Sequence, residues 1–480
     1  MDSIEINKTI AETERLLAKS KRLPPELVAM VRMLILVVKI LLDSKGLNSK
    51  NSSIPPSADP NREKKSRAKS NKNPGGQPGH KGSNLSPVKD PDEVLDITID
   101  RSQLPKGKYR VVGSESRQVV DVRITRYVTE YRAQILQDEQ GNRFVAEFPQ
   151  GVTRPIQYGN EFKANAVYMS SYQLIPYERT QKHFAEILDT PISTGSLANF
   201  NQEAFHRLKP FAQLVPAILR AGDLIHADET GVNINGKRKW LHVASNDRWT
   251  WIEAHESRGI EAMEAIDILP KFTGLLVHDH WKTYYRFVLC LHVLCNAHHV
   301  RELARAHEQD GQQWAKAMED LLYEMNTAVN EAGGELDEKQ CQKWVNRYRK
   351  ILKAGDRECP APEPKKADKK GQLKRGKLAR SKSRNLLERL RDFEADVLRF
   401  MSNTRAPFTN NQGERDFRMS KVQQKISGCF RSWDGVKAYC RIRSYISTCQ
   451  KHGVGVGEAL SLLFAGKWPD FIQEKLDRLV

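Results

Sequence analysis

The chain has 480 residues, 39% hydrophobic and 28% charged, enough for about three domains and a sizeable core, which excludes a disordered or membrane-embedded bulk. Its 77 basic against 59 acidic side chains leave a net charge of +18, so the expected partner is a polyanion. Seven cysteines, none before Cys290, argue against a disulfide scaffold; with an acidic start lacking a secretory core, the expectation is a cytoplasmic, nucleoid-associated protein without a membrane partner.

Residues 1–46 are expected to form a helical association segment. Leu27, Leu34 and Leu41 fall at heptad position a, Met30 and Val37 at d, and Arg32 and Lys39 at the outermost position f. Two charges on one stripe favour a short coiled coil between protomers over a bilayer span, which needs ~20 apolar residues. Residues 47–92 read as a flexible basic linker; Lys64, Lys65 and Arg67 belong to a run, 62–82, with seven basic residues to one acid. Residues 93–152 alternate apolar and polar, as at 119–124, and predict a small β-rich module. They contain neither cysteine nor histidine, so no zinc is expected in the protein. Residues 153–222 predict helices punctuated by Pro176, Pro191, Pro210 and Pro216, a DNA-binding region ahead of the core.

The pattern changes at Leu224. Residues 224–228 form a short apolar strand ending on Asp228, Asn235-Gly236 marks a hairpin, and 239–244 and 249–254 are returning strands. A helix over 260–272 and a buried strand ending on Asp279 follow. Three meandering strands, a helix and a fourth strand open a ribonuclease-H-like α/β core, with 223–300 as its first part and 400–464 as its second. A helical insertion, 301–399, interrupts them, and 465–480 is a tail. Trp249, Trp251 and Trp281 are expected in the core.

Two more basic runs complete the charge excess. Residues 365–391 hold twelve basic residues to two acids, including Lys369, Lys370, Lys374 and Arg375; residues 415–451 hold nine to two. Arg415, Arg418, Lys421 and Lys425 recur at helical spacing, a cationic face suited to DNA phosphates.

Asp228 and Asp279, at the ends of neighbouring strands, are what two-metal phosphoryl transfer requires, because carboxylate oxygens are hard ligands for Mg²⁺. Glu414 is the third candidate. The plainer alternatives are a strand-end turn for Asp228, a helix cap for Asp279, and a capping box of Asn411 with Glu414. Cys295 and His298 are expected to pack beside the catalytic sheet, with His299 facing solvent.

His226-Ala227-Asp228-Glu229-Thr230, Val277-His278-Asp279 and Asn410-Asn411-Gln412-Gly413-Glu414-Arg415 resemble, in order, the three acidic motifs of the insertion-sequence-66 type of DDE transposase. Cys295-Asn296-Ala297-His298 is similar to its Cys-x-x-His element, and residues 51–57 and 75–82 to its linker signatures. The resemblance runs from about residue 26 to 465. It implies cleavage at the element's 3′ ends and joining to target DNA, with Asp228, Asp279 and Glu414 holding two Mg²⁺ ions, or Mn²⁺ in their place. It also implies a homo-oligomer and small accessory proteins of the element. The chain departs from the pattern twice: residues 104–108 stand where the family carries a Cys-x-x-Cys zinc module, and His280-Trp281 follows Asp279 in place of Gly-Tyr. Those departures keep two alternatives open, a DNA-binding protein that has lost catalysis and a metal-dependent nuclease without strand transfer.

Overall fold

The computed structural model describes residues 3–19, 23–52, 59–61, 85–122, 124–362 and 380–478. Two N-terminal helices, α1 (Ser3–Lys19) and α2 (Pro25–Gly46), pack together, with Ile10 and Ile35 buried and Lys39 paired to Glu14 at 2.7 Å. The heptad positions Leu27, Met30, Leu34, Val37 and Leu41 are exposed. No helix among the described residues is long and apolar enough to cross a membrane.

Residues 93–152 depart from the expected β-rich module. The strands among the described residues there are β1 (Ile135–Gln137) and β2 (Arg143–Val145), a short antiparallel hairpin exposed on every residue. Residues 119–122 form no strand. No second layer covers these apolar positions, and a lone two-stranded hairpin is marginal in water.

The expected helices follow as α3 (Asn160–Val167), α4 (Tyr177–Leu188), α5 (Thr194–Arg207) and α6 (Lys209–Arg220). Ser193 caps α5 by accepting the Ser196 N–H at 3.0 Å. The buried face of α6, Phe211, Leu214, Val215 and Leu219, joins the main core beneath the sheet.

That sheet contains β3 (Leu224–Ile234), β4 (Lys237–Ser245), β5 (Thr250–His255), β6 (Leu275–His278) and β7 (Leu291–Leu294), in the order β5-β4-β3-β6-β7. The first three strands form an antiparallel meander; β6 is parallel to β3, and β7 to β6. Asn235 and Gly236 turn β3 into β4 with φ of 48° and 77°, the left-handed pair that Asn-Gly supplies cheaply. The helix expected over 260–272 stops early. It is α7 (Ile260–Ile266), closed by a left-handed Asp267 and followed by a 3₁₀ turn at Leu269–Lys271. Pro270, without an N–H, cannot continue an α-helix there. Gly274 is obligatory at the entry to β6, because a Cβ would meet the Asp223 carbonyl oxygen at 2.4 Å.

Beyond β7, α8 (Asn296–Asp310), α9 (Gln313–Glu331), α10 (Glu338–Glu358), α11 (Lys382–Asp392) and α12 (Glu394–Leu398) share a separate core that includes Trp314, Met318, Leu322, Tyr348 and Leu387. The chain then returns to the sheet. Helix α13 (Asn411–Ser427) lies on β3 and β4, α14 (Trp433–Lys451) packs on β5 and α5, and α15 (Val456–Phe464) and α16 (Asp470–Asp477) close the main core. Trp249 and Trp251 are buried in that core and Trp281 packs against it.

Candidate active site

The register of β3 on β6 decides where the two aspartates stand. Leu224 pairs with Leu275, Ile225 with Leu276 and His226 with Val277. The same offset carried two steps further sets Asp228 beside Asp279 at the carboxyl ends of parallel strands. Asp228 is held well above the ordinary carboxylate range, first by burial, then by Glu229 and Asp279, with Glu414 a smaller contributor. Its Oδ1 accepts the Glu229 N–H at 2.9 Å. Asp279 is half-buried, and its Oδ1 accepts the Trp281 N–H at 2.8 Å.

Asp228 and Glu414 line a cleft of about 1670 Å³ together with His226, Glu229 and His298. Asp279 is not among the residues that line it. Arg301 reaches Glu414 at 3.7 Å, a loose pairing. Glu414 comes from the first turn of α13, and the expected capping box is not formed: Asn410 is the N-cap residue and its side chain makes no cap bond. That side chain is used elsewhere. Its Nδ2 donates to the Ala227 carbonyl at 2.8 Å and its Oδ1 meets His226 Nδ1 at 2.8 Å, while its backbone N–H reaches Cys295 Sγ at 3.1 Å. One buried asparagine thus ties the strand of Asp228, the start of α8 and the helix of Glu414 together.

Asp416, the nearby acid on α13, belongs to the scaffold. It accepts from Lys451 at 3.0 Å, Ser447 at 3.2 Å and Gln412 at 3.1 Å, and Lys451 also donates to the Asn246 carbonyl and the Thr250 hydroxyl. Glu229, which sequence reasoning did not single out, is buried. Arg258 Nε and Nη2 donate to its Oε1 at 2.9 and 2.6 Å, and the Tyr284 hydroxyl donates to its Oε2 at 2.5 Å. Arg258 is stacked on Trp281 and Trp240, at 4.2 and 5.0 Å from the ring centres. A second acid directly after Asp228 was the signal available for it.

Cys295 is buried as the N-cap residue of α8, and His298 lies in its first turn on the cleft wall. His299 is buried, against the expectation of solvent exposure, and its Nδ1 meets Asn296 Oδ1 at 3.1 Å. The imidazole is turned inward because α8 packs that face under the insertion helices. His280, in place of the family's glycine, does not line the cleft; its ring packs on Phe393 and Tyr285, at 4.5 and 5.8 Å.

Arg415, Arg418, Lys421 and Lys425 are exposed and line the same cleft, so one face of α13 gives it a cationic wall, with Arg301 and Arg405 beside it. Partial burial of its ammonium lowers the Lys421 pKa, and the nearby Asp228 opposes that shift. Lys64, Lys65, Arg67, Lys369, Lys370, Lys374 and Arg375 lie outside the described residues.

No curated protein matches the chain. Residues 4–86 match a family of unknown function (DUF6444), whose description assigns no activity. Residues 155–438, more than half of the chain, match the model described as the transposase IS66 family. That match spans β3, β6 and α13, and with them Asp228, Asp279 and Glu414: the chain belongs to the IS66 family of transposases.

Proposed function

We propose that the cleft is the catalytic centre of a DDE transposase that cleaves DNA at element ends and joins the freed 3′ ends to target DNA. The observation that carries this reading is that Asp228 and Glu414 line one basic cleft, with Asp279 at the neighbouring strand end beside Asp228. The strand order, an antiparallel meander flanked by two parallel strands, supports a ribonuclease-H-like core. Asp228 is partly buried beside other acids, so its charge is poorly compensated without a cation. Such a donor set fits a hard divalent ion, and Asp228, Asp279 and Glu414 would hold Mg²⁺ or Mn²⁺. Ions of this kind lower the pKa of an attacking hydroxyl and offset charge developing on the phosphate.

The chain's own residues do the rest. The cationic face of α13 binds the phosphate backbone and sets its path across Asp228. Glu229, locked by Arg258 and Tyr284, buttresses the strand that carries Asp228. Asn410 keeps Glu414 in register with that strand. Two copies would pair through the exposed stripe of α2, bringing two element ends together, and accessory proteins of the element would act with them.

The test is incubation of labelled element-end DNA with Mg²⁺ and a target plasmid. Joined product is expected, and Asp228→Asn, Asp279→Asn or Glu414→Gln should each abolish cleavage and joining while leaving end-DNA affinity within a few-fold. Binding without cleavage would favour the DNA-binding alternative, and cleavage without joining the nuclease. The packing of His280 away from the cleft favours the catalytic reading, because the substituted side chain does not narrow the approach to the acids.

A further inference from the structure

We infer that Cys295, His298 and Glu414 form a second metal site, selective for zinc, which shares its glutamate with the carboxylate centre. One ligand atom from each of the three residues lies within 4.8 Å of the others. They arrive from separate places: Cys295 caps α8, His298 is three residues on, one helical turn away on the same face, and Glu414 enters from α13. In tetrahedral zinc sites the metal lies ~2.3 Å from sulfur and ~2.0–2.2 Å from nitrogen and oxygen. Ligand atoms around such an ion stand ~3.3–3.8 Å apart. A contraction of about 1 Å, within reach of side-chain rotation, would close the cluster to that size.

Two further observations point to a ligand there. His298 Nδ1 is buried and has no hydrogen-bond partner, an arrangement that costs stability unless something binds it. Cys295 Sγ receives the Asn410 N–H at 3.1 Å. The backbone N–H groups of His298 and Ala297 also approach it. A neutral thiol gains little from these donors, whereas a metal-bound thiolate uses them to orient and stabilise its charge.

The donor set selects the ion. A thiolate is a soft ligand that Mg²⁺ and Ca²⁺ disfavour and zinc accepts, and the imidazole reinforces that choice. Arg301, loosely paired with Glu414 and electrostatically opposed to a charged His298, is the group that must swing aside. His298 and Glu414 both line the cleft, so the fourth position opens to water or substrate. The site departs from the expectation of a zinc-free protein, which rested on the lack of cysteine and histidine in residues 93–152 and not on this cluster. Its consequence rests on the proposed function: zinc bound here engages the carboxylate that the Mg²⁺ centre also needs.

The test uses the full-length reduced chain titrated with Co²⁺ as a spectroscopic stand-in for zinc. One thiolate-to-cobalt charge-transfer band per chain is expected, bleached by one equivalent of Zn²⁺. Cys295→Ser and Cys295→Ala should both lose it, and His298→Ala and Glu414→Gln should weaken Co²⁺ binding at least ~10-fold. Cys290→Ser, at a buried cysteine outside the cluster, should keep it, as should Asp228→Asn with Asp279→Asn. Absence of the band, its survival in either Cys295 variant, or undiminished binding in Glu414→Gln overturns the site. Retention of the band in the Asp228, Asp279 double variant makes the result independent of whether those two acids support Mg²⁺-dependent cleavage.

Discussion

Residues 93–152 and 223–300 carry similar alternations of β-branched and polar residues, yet they reach opposite ends. In the second region both faces of the strands are covered. Ile225, Ala227 and Leu276 enter one core with α6 and α14, while Val232, Ile234, Leu241 and Val243 enter another with Phe417 and Tyr439. In the first region Ile97 is 95% exposed and Val119 92%, and the hairpin buries nothing. Alternation is therefore a permission, and a second layer of structure is what turns it into a sheet.

Substitutions can sharpen or break that contrast, beginning with the largest effect. Lys451→Met leaves Asp416 as an uncompensated charge nearly buried under the sheet and should cost about 3–5 kcal/mol, read by denaturant unfolding. Leu276→Ala, in the middle of β6, should cost about 2–5 kcal/mol by the same measurement. A loss under 1 kcal/mol at either position would mean that the core is looser than its burial indicates.

Asp228→Asn should do the reverse and raise the thermal midpoint in metal-free buffer at neutral pH. The folded state raises the Asp228 pKa, so proton binding favours folding. That contribution is fully present below the ordinary carboxylate pKa of about 4 and is lost as pH rises through the folded value. Asparagine, which stays neutral and keeps the oxygen that accepts the Glu229 N–H, should therefore show no advantage below about pH 4 and a growing one above it. An advantage independent of pH would mean that charge burial is not its cause. The smallest effect is expected for Ile97→Asp in the open segment, within about 0.5 kcal/mol of the parent chain. A larger loss there would show that the segment is covered in solution.

Much of the sheet and its acids could be read from the residues because the signals are local. Asn235-Gly236 is a turn on its own, and strands ending on Asp228 and Asp279 announce their carboxylates by position. The rest depends on tertiary partners that no local pattern carries. Strand β7 is only four residues, Leu-His-Val-Leu, too short for a periodicity to register. The capping box of Asn411 with Glu414 does not form, and the residue before it, Asn410, spends its side chain on Ala227 and His226 across the sheet. His299 lies between His298 and Val300, and it is buried because the insertion helices close over that face of α8.

The junction between sheet and insertion has a consequence for how the molecule can be altered. The chain leaves at Cys295 and Asn296 and comes back at Phe408 and Asn410, and these two crossings hydrogen-bond directly: Asn296 N–H to the Phe408 carbonyl at 3.0 Å, and Asn410 N–H to Cys295 Sγ at 3.1 Å. Outgoing and incoming segments are therefore stitched at the neck, and the lobe between them has its own apolar interior. Closing a longer loop costs only about 0.6 kcal/mol per doubling of its length. Changes of length in the lobe beyond α8 are therefore expected to leave the neck, and with it the seating of the Glu414 helix on Cys295, in place, so that its size is free to follow the DNA path above the cleft.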